Sequence, residues 1–373
     1  MIVADAAFVD IARAAAGPGQ RVEALPAFPA SSRPLDDDPA TDATVVVLHT
    51  SGSTGVPKSV AARQASVAGR VRSSVALTGV GPGSVYCTMS PFQHQAGVGN
   101  VLNVLAVGGT IALAPPFSAE SWGWLATIGT THALLVPTMI DRLLDRDALP
   151  LPDLEVLSYG AAPVHPDTLV ALQAALPEIG LVQIYGMTEG SPLTGLTVDD
   201  HRSGAAGRRE ILLSVGRAAP GIELQIVEPD GTGVGEVWAR GDQVYLPDAD
   251  GWIHTGDLGR IDADGYLHLV GRRADRIVRG GENIEAVEVE DVLASHPLVR
   301  EAVVVGAPDR EMGELVRAFV VAAGERPTVE ELRAFARERL AGFKVPTEWS
   351  FVDELPRNES GKLLRRGMRD WEP

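Results

Sequence analysis

The sequence predicts an α/β protein: a large domain of parallel α/β layers with a small β-rich part, followed by a small α+β domain. Three observations carry this reading. Between Thr44 and Tyr185, short β-branched runs (TVVVL, SVYCTM, TIAL, THALLV, LEVLSY, LVQIY) alternate with longer amphipathic stretches, the rhythm of parallel strands joined by helices. After about Ile211, short strands are separated by Asp-Gly pairs at Asp230, Asp250 and Asp264, which mark antiparallel hairpins. Beyond Gly271 the pattern predicts a helix at 284–294, strands at 302–305 and 316–321, and a helix at 328–340 with Val329, Leu332, Phe335, Ala336 and Leu340 on one side.

Each element has a local reason. Val45 to Leu48 reads as a buried strand, and TSGSTG as the turn after it. Turns of this kind gather backbone donors and helix N-termini at the carboxyl edge of a parallel sheet, where α/β proteins bind ligands. Residues 26–42 (PAFPASSRPLDDDPATD) concentrate Pro, Ser and Asp and read as a surface linker.

Composition narrows the function. The chain of 373 residues is 45% hydrophobic and 22% charged, an ordinary globular balance. Its 49 acidic and 32 basic residues give a formal net charge of −17, which opposes nonspecific attraction to nucleic acid or anionic lipid. An anionic ligand must therefore be met by a local cation. The single cysteine, Cys87, lies in an apolar run and reads as a buried core thiol. Neither a membrane span nor a secretory signal is evident, so the cytoplasm is the expected compartment.

Four segments carry candidate chemistry. In LHTSGSTGVPKSV, successive N–H groups of a glycine-rich loop form an anion-binding concavity, the hydroxyls add donors and Lys58 adds a full charge. The spacing is not that of a P-loop nucleoside triphosphatase, because Gly52 and Gly55 are too close and Lys58 follows proline. A Ser/Gly surface linker has the same composition. In IYGMTEGSP, Thr188 and Glu189 offer hard oxygen ligands suited to Mg²⁺ held mainly by phosphates, and a solvated turn glutamate is the alternative. In the stretch 251–293, Asp257 has the chemistry to accept hydrogen bonds from the vicinal hydroxyls of a ribose, with Arg272 beside it; ordinary hairpin turn acids are the alternative. In PRNESGKLLRR, Lys362 follows a glycine in a polar loop that also reads as a frayed basic tail.

Together, in this order and at these separations, TSGSTGVPKS, YGMTEG, HTGD, GRRADRIVRGGENI and FVDELPRNESGKLLRR resemble the adenylate-forming superfamily of acyl-CoA synthetases, peptide-synthetase adenylation domains and luciferases. The resemblance covers nearly the whole chain. It implies that Thr50, Ser51, Gly52, Ser53, Thr54, Gly55 and Lys58 wrap the β- and γ-phosphates of ATP. It further implies that Gly160, Ala161, Ala162 and Pro163 line the adenine side with Tyr185 and Gly186, and that Thr188 and Glu189 serve the α-phosphate and Mg²⁺. Asp257 and Arg272 would hold the ribose, and His94 would stand beside the acyl pocket. Lys362 would reach both the carboxylate and the α-phosphate.

The same resemblance implies a domain boundary at 271/272 and a hinge at 273–275, with Ala274 where Asp or Lys is common. One orientation of the small domain would present Lys362, and the other the Gly280–Gly281 strand for thiol entry. The implied activity is ATP-dependent ligation of a small carboxylic acid to CoA; a carrier-protein thiol, an amine acceptor, or a nucleotide-binding relative without turnover remain alternatives. The small residues Ala96, Gly97 and Gly99 suggest room for a sizeable acid. Only 49 residues precede Thr50, fewer than the resemblance implies, so a homodimer or a partner covering exposed sheet surface is expected. The opening MIVADAAFVDIARAA reads as a strand and a helix.

Overall fold

A computed structural model describes residues 2–4, 22–24, 42–50, 58–114, 117–162, 164, 166–357, 363–369 and 371. The chain divides into two units, residues 1–40 and 41–373. In the first, β1 (Ile2–Ala4) and β2 (Val22–Ala24) pair in parallel. The expected helix after β1 and nearly all of the expected linker lie outside the described residues.

The second unit opens with β3 (Thr44–Thr50) and β4 (Lys58–Arg63), followed by α1 (Gln64–Thr78). Next come β5 (Val85–Thr88), α2 (Gln95–Ala106), β6 (Thr110–Ala112), α3 (Ala119–Trp124), β7 (His132–Leu135), α4 (Pro137–Leu144), β8 (Val156–Gly160), α5 (Pro166–Ala175) and β9 (Gly180–Met187). They form the predicted alternation. Strands β6, β5, β7, β8 and β9 are parallel neighbours in a seven-stranded sheet, which β10 (Gly190–Leu196) and β11 (Arg217–Ala218) extend antiparallel. All four residues of β7 are buried, as a central strand covered on both faces requires.

Period-two alternation sorts the side chains of this sheet. Cys87, Ala133, Leu135, Leu157 and Tyr159 join Trp122, Ile140, Leu143, Leu169 and Leu172 from α3, α4 and α5 in the largest core cluster. Tyr86 and Leu134 pack on the opposite face with Val75 of α1 and Ala96 and Val104 of α2. The sheet is thus the middle of three layers. Cys87 is fully buried, and burial pushes its thiol up to about 11, so it is a core thiol as predicted.

One strand departs from expectation. β3 is not part of the parallel sheet; it pairs antiparallel with β4, from Thr44 opposite Arg63 to Thr50 opposite Lys58. The connection 51–57 is too short for the crossover that a parallel pair needs, so the chain can only fold back as a hairpin. Leu48 is buried, but Val45 and Val47 are 45% and 52% exposed.

The antiparallel part follows α6 (Val198–Ala205) and consists of β12 (Ile222–Val227), β13 (Gly235–Gly241), β14 (Trp252–Ile261) and β15 (Leu267–Arg272), paired in sequence order. Its three turns share one device. Asp230 Oδ1 accepts from the N–H groups of Thr232 and Val234, Asp248 Oδ1 from Asp250 and Trp252, and Asp262 Oδ1 from Asp264 and Tyr266.

The last part contains β16 (Ile277–Arg279), β17 (Glu282–Ile284), α7 (Ala286–Ala294), β18 (Val299–Asp309), β19 (Gly313–Ala322), α8 (Val329–Arg337) and β20 (Glu348–Phe351). Thr328 caps α8 in a capping box with Glu331, while Leu332, Ala336 and Leu340 enter a separate core built on α7 and β19. α7 begins two residues later than predicted because Ile284 completes the β16–β17 hairpin. No helix among the described residues is long and apolar enough to cross a membrane.

Candidate nucleotide and acyl site

Two of the four sequence segments meet at one carboxylate, that of Asp257. Asp257 and Arg272 are directly opposed in the register of β14 and β15, and Arg272 Nε lies 2.9 Å from Asp257 Oδ1. Tyr185, at the end of β9 in the other sheet, donates its hydroxyl to Asp257 Oδ2 at 2.5 Å. Asp257 is 6% exposed, and its N–H donates to Thr255 Oγ1, which in turn donates to Val237 O. Burial first, and then the Asp257 charge, push the Tyr185 phenol well above its usual range, so it remains a donor. Each Asp257 oxygen has acceptor capacity beyond these bonds, the chemistry a vicinal diol needs.

The adenine-side candidates stand on the neighbouring strand end. Gly160 closes β8 opposite Ile184, where a Cβ would sit 2.2 Å from the Ile184 carbonyl oxygen, so only glycine fits. Ala161 follows with φ +68°, a left-handed conformation that costs about 1 kcal/mol or more for a non-glycine residue. Ala161 and Ala162 are exposed. Pro163 lies outside the described residues. A Cβ on Gly186 would meet Ser191 Oγ at 2.8 Å.

Thr188 and Glu189 form the tip between β9 and β10, both half-buried, and Glu189 O accepts from Tyr245 N–H at 2.7 Å. Among the described residues, no three His, Cys, Asp or Glu side chains are gathered for a metal. Thr188 and Glu189 carry hard oxygens, the donor type that suits an ion taking most of its ligands from phosphate and water, as Mg²⁺ does.

Of the phosphate-loop candidates, Thr50 ends β3 and Lys58 begins β4, cross-strand partners that hold the two ends of the loop together. Lys58 is exposed. Ser51, Gly52, Ser53, Thr54 and Gly55 lie outside the described residues, as does Lys362. The segment holding Lys362 is closed by a bridge between Arg357 and Leu363.

His94 is the N-cap residue of α2. The expectation that Ala96, Gly97 and Gly99 leave space for the acid is corrected at both glycines. A Cβ at Gly97 would lie 2.2 Å from Pro91 O, and one at Gly99 would lie 2.4 Å from the Arg70 guanidinium carbon. Backbone and a cation already fill those positions.

Around the expected hinge, consecutive residues are anchored to opposite sides. Arg272 pairs with Asp257 and Arg273 with Glu236 at 2.9 Å, both on the β12–β15 sheet. Asp275 lies 3.5 Å from Arg365, and Arg276 pairs with Glu285 at 2.5 Å, both on the C-terminal part. Ala274 between them carries no polar side chain and lines a cleft of about 310 Å³ with Asp275, Val305, Gly306, Arg365 and Arg369. Gly280 and Gly281 make the β16–β17 turn with φ +59° and +89°, a two-residue hairpin loop that only glycine adopts freely.

Sequence reasoning placed Arg273 in the hinge but not its partner, and it missed Glu236, Arg365 and Arg70. Of the three, only Arg365, inside LLRR, carried a local signal.

With Tyr185, Asp257 and Arg272 brought together from YGMTEG, HTGD and GRR, the family of the chain can be stated: it is an AMP-binding enzyme. Residues 3–246 match the AMP-binding enzyme family and residues 288–362 the AMP-binding enzyme C-terminal domain. The chain is 34% identical to a fatty acid–[acyl-carrier-protein] ligase, ScoC, of Streptomyces coeruleorubidus, over 94% of this chain and 72% of that protein. It is 36% identical to a 2-succinylbenzoate–CoA ligase of Bacillus cereus, over 87% of this chain and 69% of the relative. The amide bond synthetase McbA from Marinactinospora thermotolerans superposes with a TM-score of 0.85 at 32% identity, covering 99% of this chain and 79% of the other.

Proposed function

We propose that the chain is an ATP-dependent carboxylate–CoA ligase. A substrate carboxylate oxygen attacks the α-phosphorus of ATP, the bond to pyrophosphate breaks, and the acyl adenylate remains bound. The CoA thiolate sulfur then attacks the acyl carbon and AMP leaves. Bringing two anions together puts the burden on positioning and on cations aimed at the developing charge. The observation that carries the reading is the convergence of Tyr185 and Arg272, from two sheets, onto the buried Asp257 carboxylate.

In this reading Asp257 and Arg272 hold the ribose. Gly160, Ala161, Ala162 and Pro163, with Tyr185 and Gly186, receive the adenine, and Thr50 to Gly55 with Lys58 receive the phosphates. His94 borders the acyl group, and Lys362 serves the carboxylate and α-phosphate. Glu189 and Thr188 hold Mg²⁺, which neutralises phosphate charge when bound. The large domain ends at residue 271, and residues 273–275 form the hinge of the C-terminal domain. The anchoring of residues on either side of Ala274 supports a pivot there. One orientation presents Lys362, and the other presents Gly280 and Gly281 for thiol entry.

Val45 and Val47, exposed on β3, support association with a second copy; a monomer by light scattering counts against it. A cytoplasmic location goes with this chemistry, since ATP and CoA are supplied there.

Relatives named for CoA, carrier-protein and amide products keep the acceptor open to a second reading, with a carrier thiol or an amine in place of CoA. Acid-dependent ATP–pyrophosphate exchange tests the first half-reaction. Thioester detected by mass spectrometry on adding CoA tests the second. Exchange without thioester would shift the assignment to a carrier or amine acceptor, and no exchange with any acid would leave only a nucleotide binder.

A further inference from the structure

Arg70 of α1 is the one arginine or lysine that is buried among the described residues, at 4% exposed. Its Nη1 donates to Gly99 O at 2.7 Å and to Asn103 Oδ1 at 2.6 Å, both on α2, while its Nε–H has no acceptor among the described residues. No described carboxylate pairs with it; the ionisable groups that face it are Tyr245 and Tyr86. A cation without a counter-ion is unfavourable away from water, and a neutral amide would satisfy Gly99 and Asn103 with less desolvation. The fold nevertheless makes room for the charge. Gly99 lacks the Cβ that would stand 2.4 Å from the guanidinium carbon.

The surroundings say what the charge is for. Gly99 is one turn along α2 from Gln95, which follows His94 and donates to the Tyr245 hydroxyl at 2.7 Å. Tyr86 approaches Arg70 from the sheet, on the face that also carries Thr88, Leu134 and Ser158 in register. The guanidinium therefore lies between α1 and α2 with Tyr86 of this sheet face beside it, little more than a turn along α2 from the end that His94 caps. Resting on the ligase reading, in which the acyl group enters beside His94, we infer that Arg70 is the counter-charge for a second, distal carboxylate on the acid. The preferred substrates are then dicarboxylic acids. The Nε edge left without an acceptor is the one a carboxylate takes, and guanidinium–carboxylate pairing is directional enough to select by length. In a chain of net charge −17 such a local cation is what admits a doubly anionic substrate.

The test measures pyrophosphate release by the full chain with matched sets of acids: an aliphatic or aryl monocarboxylic acid, the dicarboxylic acid of the same length, and its distal monoamide. The dicarboxylic member of the best set should exceed both others in kcat/KM by on the order of a hundredfold, because a buried charge built for a partner penalises its absence. Arg70→Gln should bring that ratio near one, and Arg70→Lys should restore part of it. Gly99→Ala, which pushes the guanidinium aside, should also reduce the ratio. If Arg70→Gln fails to fold, the comparison of diacid with monoamide on the unaltered chain decides the matter alone. Monocarboxylic acids or monoamides used as well as diacids, or a ratio unmoved by Arg70→Gln, would overturn the inference while leaving the ligase reading standing. Failure of every acid overturns both.

Discussion

Arg273 reaches back across 37 residues to place Nη1 2.9 Å from Glu236 Oε2 on β13, while Arg276, three residues on, is held by Glu285 in the C-terminal part. Between the two anchors the chain makes one 3-10 turn, Arg273–Asp275, closed by the Arg276 N–H donating to Arg272 O at 3.1 Å, and this turn is the proposed pivot. Glu236 is 13% exposed at its side chain but Arg273 is 64% exposed, so the pair contributes about 0.5 kcal/mol, enough to bias the proposed rotation but not to lock it. Glu236→Gln should therefore change the ratio of adenylation to thioester-forming rates by roughly two- to threefold. The exchanged pair, Glu236→Arg with Arg273→Glu, should return the ratio toward its starting value. Rapid-quench measurement of both half-reactions checks this, and an unchanged ratio would remove the pair from any part in domain rotation.

The Asp257 carboxylate accepts from Tyr185 and Arg272 simultaneously, so its loss should weaken nucleotide binding more than the loss of either donor. Asp257→Asn is expected to raise Kd for ATP and AMP by about ten- to a hundredfold, the range for a hydrogen bond to a charged group. Tyr185→Phe should cost roughly fivefold. Calorimetric titration with AMP separates the two. Equal and small effects would mean that Asp257 is a sheet-joining residue only.

Much of this was readable in advance because the sheet register is local. Asp257 and Arg272 meet across one hairpin whose turn, over 262–266, the Asp264–Gly265 pair announces. Capping at Thr328 and the apolar side of α8 likewise follow from neighbours three and four residues apart. What escaped depends on which element lies against which. Val45 and Val47 look like core strand until the 51–57 connection forces an antiparallel hairpin. Gly97 and Gly99 look like empty space until Pro91 and Arg70 are seen to occupy it. Glu236 with Arg273, and Glu290 with Arg365, join positions 37 and 75 residues apart. No periodicity in either segment encodes that distance.

Two buried histidines predict the acid limb of stability. His201, on α6, contacts the Tyr159 hydroxyl through Nε2 at 2.7 Å and Thr197 O through Nδ1 at 2.8 Å. With Nδ1 donating to the carbonyl, Nε2 is the acceptor of the Tyr159 proton, an arrangement that a charged ring breaks. Burial lowers the affinity of His201 for a proton, and does the same at His132. Both rings therefore bind fewer protons folded than unfolded once pH drops through the unfolded value of about 6.5. Stability is fully present above that pH and declines below it, by at most about 1.4 kcal/mol per pH unit for each ring. Thermal unfolding should show a falling Tm from pH 7.5 to 5.5, with a shallower slope in His201→Gln. An identical slope in the variant would assign the decline to other groups.

The tail that carries Lys362 is fastened by Arg365, and the two residues should fail differently. Arg365 Nη2 donates to Glu290 Oε2 at 2.9 Å and Nη1 to Glu290 Oε1 and to Val304 O, while the Val304 N–H returns a bond to Glu290 Oε1. The Glu290 side chain is only 12% exposed, so Arg365→Met leaves a mostly buried carboxylate without its cation and should cost about 3 kcal/mol or more. Because the damage is to the seat of the whole segment, both half-reactions should decline along with Tm. Lys362→Ala removes a charge from an intact seat. Adenylation should then fall by orders of magnitude, whereas thioester formation from supplied acyl adenylate should survive with Tm unchanged. If Lys362→Ala impairs both half-reactions equally, the lysine has no role confined to adenylation; if Arg365→Met leaves Tm unmoved, Arg365 does not anchor the tail.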